Sequence, residues 1–494
     1  MNITKKDGLI VIVLSAALAL LGLFFMDKSW IHDNIPERCG AYCQMAMNYW
    51  SMLLEQSFDR KFLQKSIGAL LVSLVSPIAD LKTPLQINYA LQIVGATFLI
   101  FSAVYFYLIG KATKCNRLVF YTLFVCLFVN QIFIKIEPYT QESPDCAAFL
   151  LGMMSAYYFL KNKYGALLFT FCIASIIQPQ ARLLMIPLII FCGINVQEPE
   201  QKKLTIQNKG YLFLFIAILF VFLVCGYLLP SIREPNHGVA NAIKSLMPVS
   251  IFLGAAALLF ALYKIRAVES FQSGLKLFMF NKDIRNRSKT VALIFAVSFG
   301  IILFLAQGEI LSKGSTLKGV VYYSYSVVYH MLEAPLKSWI VHLGFFGPLP
   351  LIFLLRKPSA PNRTMDVGLT LSIALSLIFS LDSESRHLIG FMPWLACLFM
   401  KKKYSFNVPV SALIIILTII ASRFYGSYGS ATPEYDKYLF MWGPWMTVAD
   451  YQLTTAIVAG SCFLLFLVYK LSSTRKAPPF VTDHSGQEDS SFCK

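Results

Sequence analysis

Charged residues are scarce in this sequence: they make up 14% of its 494 residues. A soluble domain carries about 25%, so the deficit argues against a soluble protein. The alternation of apolar and polar residues that indicates membrane-spanning strands is also missing, because the long apolar runs are apolar on all sides. Both absences leave membrane-spanning helices, which need about 20 predominantly apolar residues.

Motifs for several kinds of chemistry are missing as well. No glycine-rich phosphate loop, nucleophile elbow or paired Cys-x-x-Cys motif is present, so we predict no metal site of the zinc type. The 11 cysteines fall mostly inside apolar runs, where cysteine packs as a small hydrophobic residue. Cys39 and Cys43 form either a strained local disulfide or one face of a helix.

Positive charge is abundant but divided into short clusters. The net charge is +17, and the clusters include Lys5 with Lys6, Lys202 with Lys203, and the run 401–403. Nucleic-acid binding would need one continuous basic face, so we exclude that partner. Clusters between apolar runs are typical of cytoplasmic loops. We therefore predict an integral protein of the lipid bilayer with both termini in the cytoplasm.

The fold class predicted is an all-α polytopic membrane protein with about 14 transmembrane helices, or 12–14 if short neighbours merge. The first span has no cleavage site after it and is interpreted as a retained anchor. The predicted spans are 8–26, 85–110, 118–134, 146–160, 164–178, 182–194, 211–230, 247–263, 290–306, 339–355, 366–381, 388–400, 408–421 and 451–470.

The first loop on the extracytoplasmic side, residues 27–84, is long and contains two further segments. Residues 37–58 are amphipathic, and 67–78 are apolar. Counting 67–78 as a span would invert every later loop, so we predict an interfacial or re-entrant helix there. The polar tail, 471–494, is predicted to be cytoplasmic and disordered.

Acidic residues in the extracytoplasmic loops are the first candidates for chemistry. A polyprenyl-phosphate sugar transferase needs a carboxylate at the membrane surface, to deprotonate the acceptor or to orient a divalent metal ion. Asp33 and Glu37 follow the first span and are the candidate catalytic residues; they can equally be loop acids that cap the next helix. Glu142 and Asp145 precede the span 146–160, where acids also stabilise a helix start.

Arginines in two short turns on the same side are the second group of candidates. Arg182 and Arg386 each lie between two apolar spans. The planar guanidinium group donates two parallel hydrogen bonds to a phosphate, so both are candidate donor-phosphate-binding residues. The alternative is that each extends to lipid headgroups, or that Arg386 pairs with a neighbouring acid.

The order of these parts resembles the C-type integral-membrane glycosyltransferases (GT-C), which include protein O-mannosyltransferases, aminoarabinose transferases and glycolipid mannosyltransferases. The similar stretch covers residues 8–195: a first span, an early acid, amphipathic segments, and the acid-led run 139–150. The segment Glu384-Ser385-Arg386, followed by Pro393, is similar to a late motif of the family. The adjacent Asp-Glu pair of the O-mannosyltransferases is absent.

The resemblance implies sugar transfer from a polyprenyl phosphate at the extracytoplasmic face, with inversion at the anomeric carbon. Asp33 would then be the early acid, Glu142 and Asp145 auxiliary acids, and Arg182 and Arg386 neighbours of the lipid phosphate. Residues 1–195 would form the catalytic module and 196–470 a C-terminal transmembrane module. We expect a bacterial inner membrane, because no long lumenal domain is present.

Two other functions fit a chain with many spans. A polysaccharide polymerase or ligase usually has one large outer loop with several arginines, whereas the loop 307–338 contains lysines but no arginine. A transporter or lipid-linked sugar flippase usually has two related halves with charges near the midplane. Here the halves look unlike each other, which favours chemistry at the surface.

We predict that Asp33→Asn abolishes sugar transfer while membrane insertion stays intact, because an amide cannot take the acceptor proton. Transfer is measured in membranes that contain equal amounts of wild type and variant. Full activity of a well-expressed variant would remove Asp33 from the role of base.

Overall fold

Helices dominate the structure, a computed structural model that describes residues 3–25, 37–58, 66–130, 133, 145–177, 179–197, 208–228, 246–305, 328–329, 331–332, 334–355, 364–381, 385–402, 406–422 and 448–474. The helices are Lys5–Phe25 (α1), Glu37–Glu55 (α2), Ile67–Ala79 (α3), Pro84–Thr113 (α4), Arg117–Phe128 (α5), Asp145–Leu160 (α6), Tyr164–Ile177 (α7), Pro179–Ile190 (α8), Asn208–Leu223 (α9, continued by a π-helical turn), Met247–Lys264 (α10), Ala267–Phe280 (α11), Lys282–Leu305 (α12), Lys337–Phe346 (α13), Leu349–Leu355 (α14), Val367–Phe379 (α15), Met392–Lys401 (α16), Val408–Ser422 (α17) and Val448–Thr474 (α18).

The architecture is that of an all-α membrane protein. Within the described residues, four helical segments are long and apolar enough to cross a bilayer: Pro84–Thr113, Met247–Lys264, Lys282–Leu305 and Tyr451–Val468. Each of the other predicted spans also coincides with helix, but those helices are shorter or less completely described. The number of crossings, 12–14, therefore stays a prediction.

One predicted span, 339–355, is wrong as a continuous helix. It divides into α13 and α14 at Gly347, whose φ of +69° suits glycine. A Cβ at this position would lie 2.8 Å from Thr418 Oγ1 on α17, so the backbone passes unusually close to that helix. The apolar composition of 339–355 could not reveal this contact.

Local signals in the sequence explain where the long helix α4 begins and ends. Thr83 and Gln86 form a reciprocal capping box, with Pro84 at the first helical position. The helix ends at Lys114, whose left-handed φ of +52° directs its N–H back to the carbonyl oxygens of Gly110 and Lys111. Such caps satisfy backbone groups that a helix leaves without partners at its ends.

The N-terminal end of the bundle is held together by the carboxylate of Asp7. Asp7 Oδ1 accepts hydrogen bonds from Arg117 Nε and Tyr121 Oη, both at 2.6 Å, and Oδ2 accepts from Thr4. Burial alone would raise the pKa of Asp7, but these hydrogen bonds outweigh it and hold the pKa well below its usual range. The carboxylate therefore stabilises the fold above the ordinary aspartate pKa of about 3.9, and this contribution is lost as the pH falls through the lowered value.

Other segments predicted to be cytoplasmic meet at this same end. The strands Asn195–Gln197 (β1) and Thr364–Asp366 (β2) pair in antiparallel register, with Asn195 opposite Asp366. Asp366 accepts a hydrogen bond from Lys401 at the end of α16. Arg287 at the start of α12 donates to the carbonyl oxygen of Cys192, just beyond α8. These contacts bring described parts of several loops together, while the sorting of the loops between the two sides of the membrane stays a prediction.

A small layer of two helices lies at the opposite end, which we call the far end. Helices α2 and α3 pack on each other and on the first turns of α4, around a cluster that contains Tyr42, Tyr49, Phe58 and Ile87. With 13 residues, α3 is about 20 Å long, too short for the roughly 30 Å bilayer core. Cys39 and Cys43 both lie in α2, which agrees with the helical alternative for this pair.

We predict that Asp7→Asn lowers the free energy of unfolding by about 1–3 kcal/mol, because Arg117 and Tyr121 lose a charged acceptor. Thermal unfolding of the detergent-solubilised protein measures the change. Asp80→Asn is the matched control: Asp80 pairs with Lys82, but both side chains are 74% exposed, so little change is expected. Equal destabilisation by both variants would contradict the anchoring role of Asp7.

Candidate functional site

The structure describes the six predicted site residues to different extents. Asp33 and Glu142 lie outside the described residues, and Glu37 is the first residue of α2. Arg182 lies in the first turn of α8, and Arg386 lies in a short 3₁₀ helix, Ser385–Leu388; the structure locates these two by their backbones. Asp145 is described in full.

Asp145 is buried at the start of α6, with 4% of its surface exposed. An acid in the first turn is stabilised by the N-terminal end of the helix dipole, which explains how the helix begins there. Three and seven residues later on the same face come Ala148 and Gly152. This face is the one that meets the segment leading into α16.

The contact between α6 and that segment is unusually close. A Cβ on Gly152 would lie 2.1 Å from the carbonyl oxygen of Gly390, and a Cβ on Gly390 would lie 3.0 Å from that of Ala148. One turn further on, Trp394 Nε1 donates to Ser155 Oγ at 2.7 Å. Small residues allow such approach between helices in lipid, where the hydrophobic effect does not drive them together. Arg386 is four residues before Gly390, so its turn approaches the end of α6 that carries Asp145.

A second contact shows how far along the bundle Asp145 and the end of α15 lie. A Cβ on Gly368, at the start of α15, would lie 3.0 Å from a ring carbon of Phe159, near the end of α6. At 1.5 Å per residue, Asp145 is about 21 Å from this contact along α6, and Ser380 is about 18 Å from it along α15. Asp145 and the end of α15 therefore lie at a similar level, at the far end.

Arg182 lies deeper than the other candidates. The same Cβ on Gly368 would be 2.8 Å from the carbonyl oxygen of Pro187, so α8 and α15 run antiparallel through this point. Arg182 is only about 7.5 Å along α8 from Pro187, the residue that meets Gly368. Its backbone is thus about two turns closer to the middle of the bundle than Ser380.

Helix α13 holds the turn that carries Arg386. His342 Nε2 lies 2.8 Å from the carbonyl oxygen of Ser380, and His342 Nδ1 lies 2.8 Å from Ser385 Oγ. A carbonyl oxygen only accepts, so Nε2 donates, and in the neutral ring Nδ1 accepts from the serine. One turn earlier, Ser338 Oγ donates to the carbonyl oxygen of Leu381. These bonds satisfy carbonyl groups that α15 leaves at its C-terminal end.

His342 and Ser338 were not predicted from the sequence. The signal was nevertheless present. A histidine within an apolar span is rare and costly, and a serine four residues earlier shares its helical face. Because 339–355 was interpreted only by its hydrophobicity, this polar face went unrecognised.

Further polar groups are buried at the far end. Lys337, the first residue of α13, is fully buried. In the part of the chain that the structure describes, the buried Trp339 Nε1 and Asn88 Oδ1 have no hydrogen-bond partner. Leaving such an atom unsatisfied costs about 1–3 kcal/mol, so both are candidate contacts for a bound ligand. No group of three or more metal-ligating side chains occurs among the described residues.

We predict that His342→Phe frees the segment 380–388, because it removes both hydrogen bonds while the ring volume is largely kept. Hydrogen–deuterium exchange of peptides that cover 380–388 should become faster, and exchange at the N-terminal end should not change. Ser376→Ala is the matched control, since its hydroxyl bonds only within α15, to Ser372. Unchanged exchange at 380–388 in His342→Phe would show that this side chain does not hold the turn.

Comparisons with known proteins give no family for this chain. No protein-family model, curated protein or solved structure matches it. The interpretation of the far end therefore depends on the residues and contacts described above. Five buried polar residues lie at the far end: Ser338 and His342 hold the turn that carries Ser385 and Arg386, Lys337 begins the same helix, and Asp145 is buried at a similar level at the start of α6. We call these five residues the far-end cluster.

Proposed function

We propose that this protein is a membrane glycosyltransferase that transfers a sugar from a polyprenyl-phosphate donor to an acceptor at the far end of the bundle. The observation that carries the proposal is the approach of two chain segments far apart in sequence. The close contact of Gly152 with Gly390 brings the turn of Arg386 towards the start of α6, where Asp145 is buried. A carboxyl group and a guanidinium group are the two functions that such a transfer needs.

The carboxyl group and the guanidinium group each have a role in the reaction. An acceptor hydroxyl oxygen attacks the anomeric carbon, and the bond from this carbon to the phosphate oxygen breaks. The carboxylate takes the proton of the hydroxyl group, and polyprenyl phosphate leaves with the bonding electrons. Arginine stabilises the charge that develops on the phosphate. A single displacement of this kind inverts the anomeric carbon.

In this proposal Asp33 is the base, with Glu37 beside it, and Glu142 and Asp145 are auxiliary acids. The position of α2 supports this arrangement, since α2 begins at Glu37 and packs with α3 on the first turns of α4 at the far end. Arg386 binds the donor phosphate near the surface. Arg182, about two turns deeper, would meet a phosphate only where the donor enters between helices.

The distribution of charge also favours surface chemistry over transport. On the described helices that coincide with predicted spans, every formally charged residue lies within about two turns of a helix end. Carriers usually place charges or broken helices near the midplane, along the substrate path. The break at Gly347 carries no charged residue beside it, and its close neighbour is the hydroxyl of Thr418.

We predict that Arg386→Ala raises the KM for the lipid donor by about ten- to a hundredfold, because a hydrogen bond to a charged group contributes roughly 1.5–3 kcal/mol. The protein is reconstituted in vesicles with a panel of polyprenyl-phosphate sugars, and release of polyprenyl phosphate is measured by mass spectrometry.

Lys82→Ala is the matched control, because Lys82 is an exposed cation near the far end that pairs only with exposed Asp80. Its KM should equal that of the wild type. An unchanged KM in Arg386→Ala would remove this residue from the phosphate site. Failure of the wild type to release polyprenyl phosphate from any donor would contradict the transferase function itself.

A further inference from the structure

Helix α11 lies at the N-terminal end of the bundle, away from the far-end cluster. It begins after Arg266, whose φ is +57°, and ends before Asn281. Its 14 residues span about 21 Å, which is too short to cross a bilayer core. Gly274 faces the side chains of Phe191, just beyond α8, and Val367, the first residue of α15. Both residues lie at the N-terminal end of the bundle. The helix therefore lies at the N-terminal end of the bundle and does not run through it.

The outward side of α11 is strongly apolar. Phe271, Leu275 and Phe278 are exposed and form one stripe, because they are spaced by four and three residues. Met279 and Phe280 are exposed beside them, the latter by 84%. In water so large an apolar patch would be unfavourable, whereas at a membrane boundary it is covered by acyl chains.

Cations line the same segment. Lys276 lies on the polar flank of α11, and Lys282 and Lys289 follow on the first turns of α12; all three are exposed. The acid Glu269 accepts a hydrogen bond from Tyr211 Oη at 2.5 Å, so its charge is directed into the protein. Arg287 is likewise engaged, with the carbonyl oxygen of Cys192. Asp283 is an exposed acid beside Lys282, and the exposed Arg285 donates to the carbonyl oxygen of Met279. With three exposed lysines and Arg285 against Asp283, the exposed charge is mainly positive.

We propose that α11 lies in the headgroup layer of the membrane and that Lys276, Lys282 and Lys289 bind the phosphate groups of anionic lipids. An apolar stripe beside a row of lysines matches the two parts of such a lipid, its acyl chains and its charged headgroup. A soluble acidic protein would match the lysines but would leave the aromatic stripe uncovered. This site is independent of the proposed sugar transfer.

The lipid preference is tested with the full-length protein in vesicles of phosphatidylcholine that contain spin-labelled phosphatidylglycerol or spin-labelled phosphatidylcholine. The wild type should prefer phosphatidylglycerol, and the preference should fall as salt is raised. The triple variant Lys276→Gln, Lys282→Gln, Lys289→Gln should lose roughly fivefold or more of this preference. The matched control is Lys111→Gln, Lys114→Gln, Lys161→Gln, which removes three exposed lysines from the same end and should retain it.

Equal loss in both triple variants, or no loss in the first, would overturn the proposal, because the binding would then be non-specific or located elsewhere. Insertion of the apolar stripe is tested separately with Phe271→Trp. Lipids brominated near the headgroup should quench the fluorescence of this tryptophan more than lipids brominated at the chain end. Quenching by a water-soluble quencher alone would place the stripe in water and would also overturn the proposal.

Discussion

A bilayer core offers no hydrogen bonds, and the fold follows from that constraint. Backbone groups must be satisfied inside helices, and polar side chains must find partners at helix ends or within contacts between helices. Asp7 does this at the N-terminal end, where it accepts bonds from two residues of α5 more than a hundred positions further along the chain. His342 does the same at the far end, where it bonds the carbonyl oxygen of Ser380 at the end of α15.

Close packing is the second requirement, because apolar side chains gain little by leaving lipid for the protein interior. Gly152 and Gly390 illustrate it, since neither position has room for a side chain. This contact also joins residues from both predicted modules, 1–195 and 196–470. A substitution that separated α6 from the segment before α16 would therefore disturb packing and move the turn of Arg386 away from Asp145.

The two ends of the bundle differ in the residues that they carry. The N-terminal end combines exposed lysines with an apolar helix, α11, which suits attachment to a charged lipid surface. The far end has buried polar side chains, among them Asp145 and His342, while α2 and α3 pack beside the first turns of α4.

The sequence alone determined the class of protein, because apolar composition and run length decide whether a segment enters a bilayer. It also predicted where most helices lie, whereas the interfacial position of 67–78 and the sorting of the basic loops stay predictions. Only the tertiary structure showed that the predicted span 339–355 is interrupted at Gly347, that His342 holds the turn of Arg386, and that α11 has an apolar outer stripe. These features depend on which helix faces which neighbour, and hydropathy carries no information about contacts between residues far apart in the chain. Asp145 illustrates the difference. The acid-led run predicted its place at the start of a helix, whereas its burial results from the packing of α6 against the segment that leads into α16.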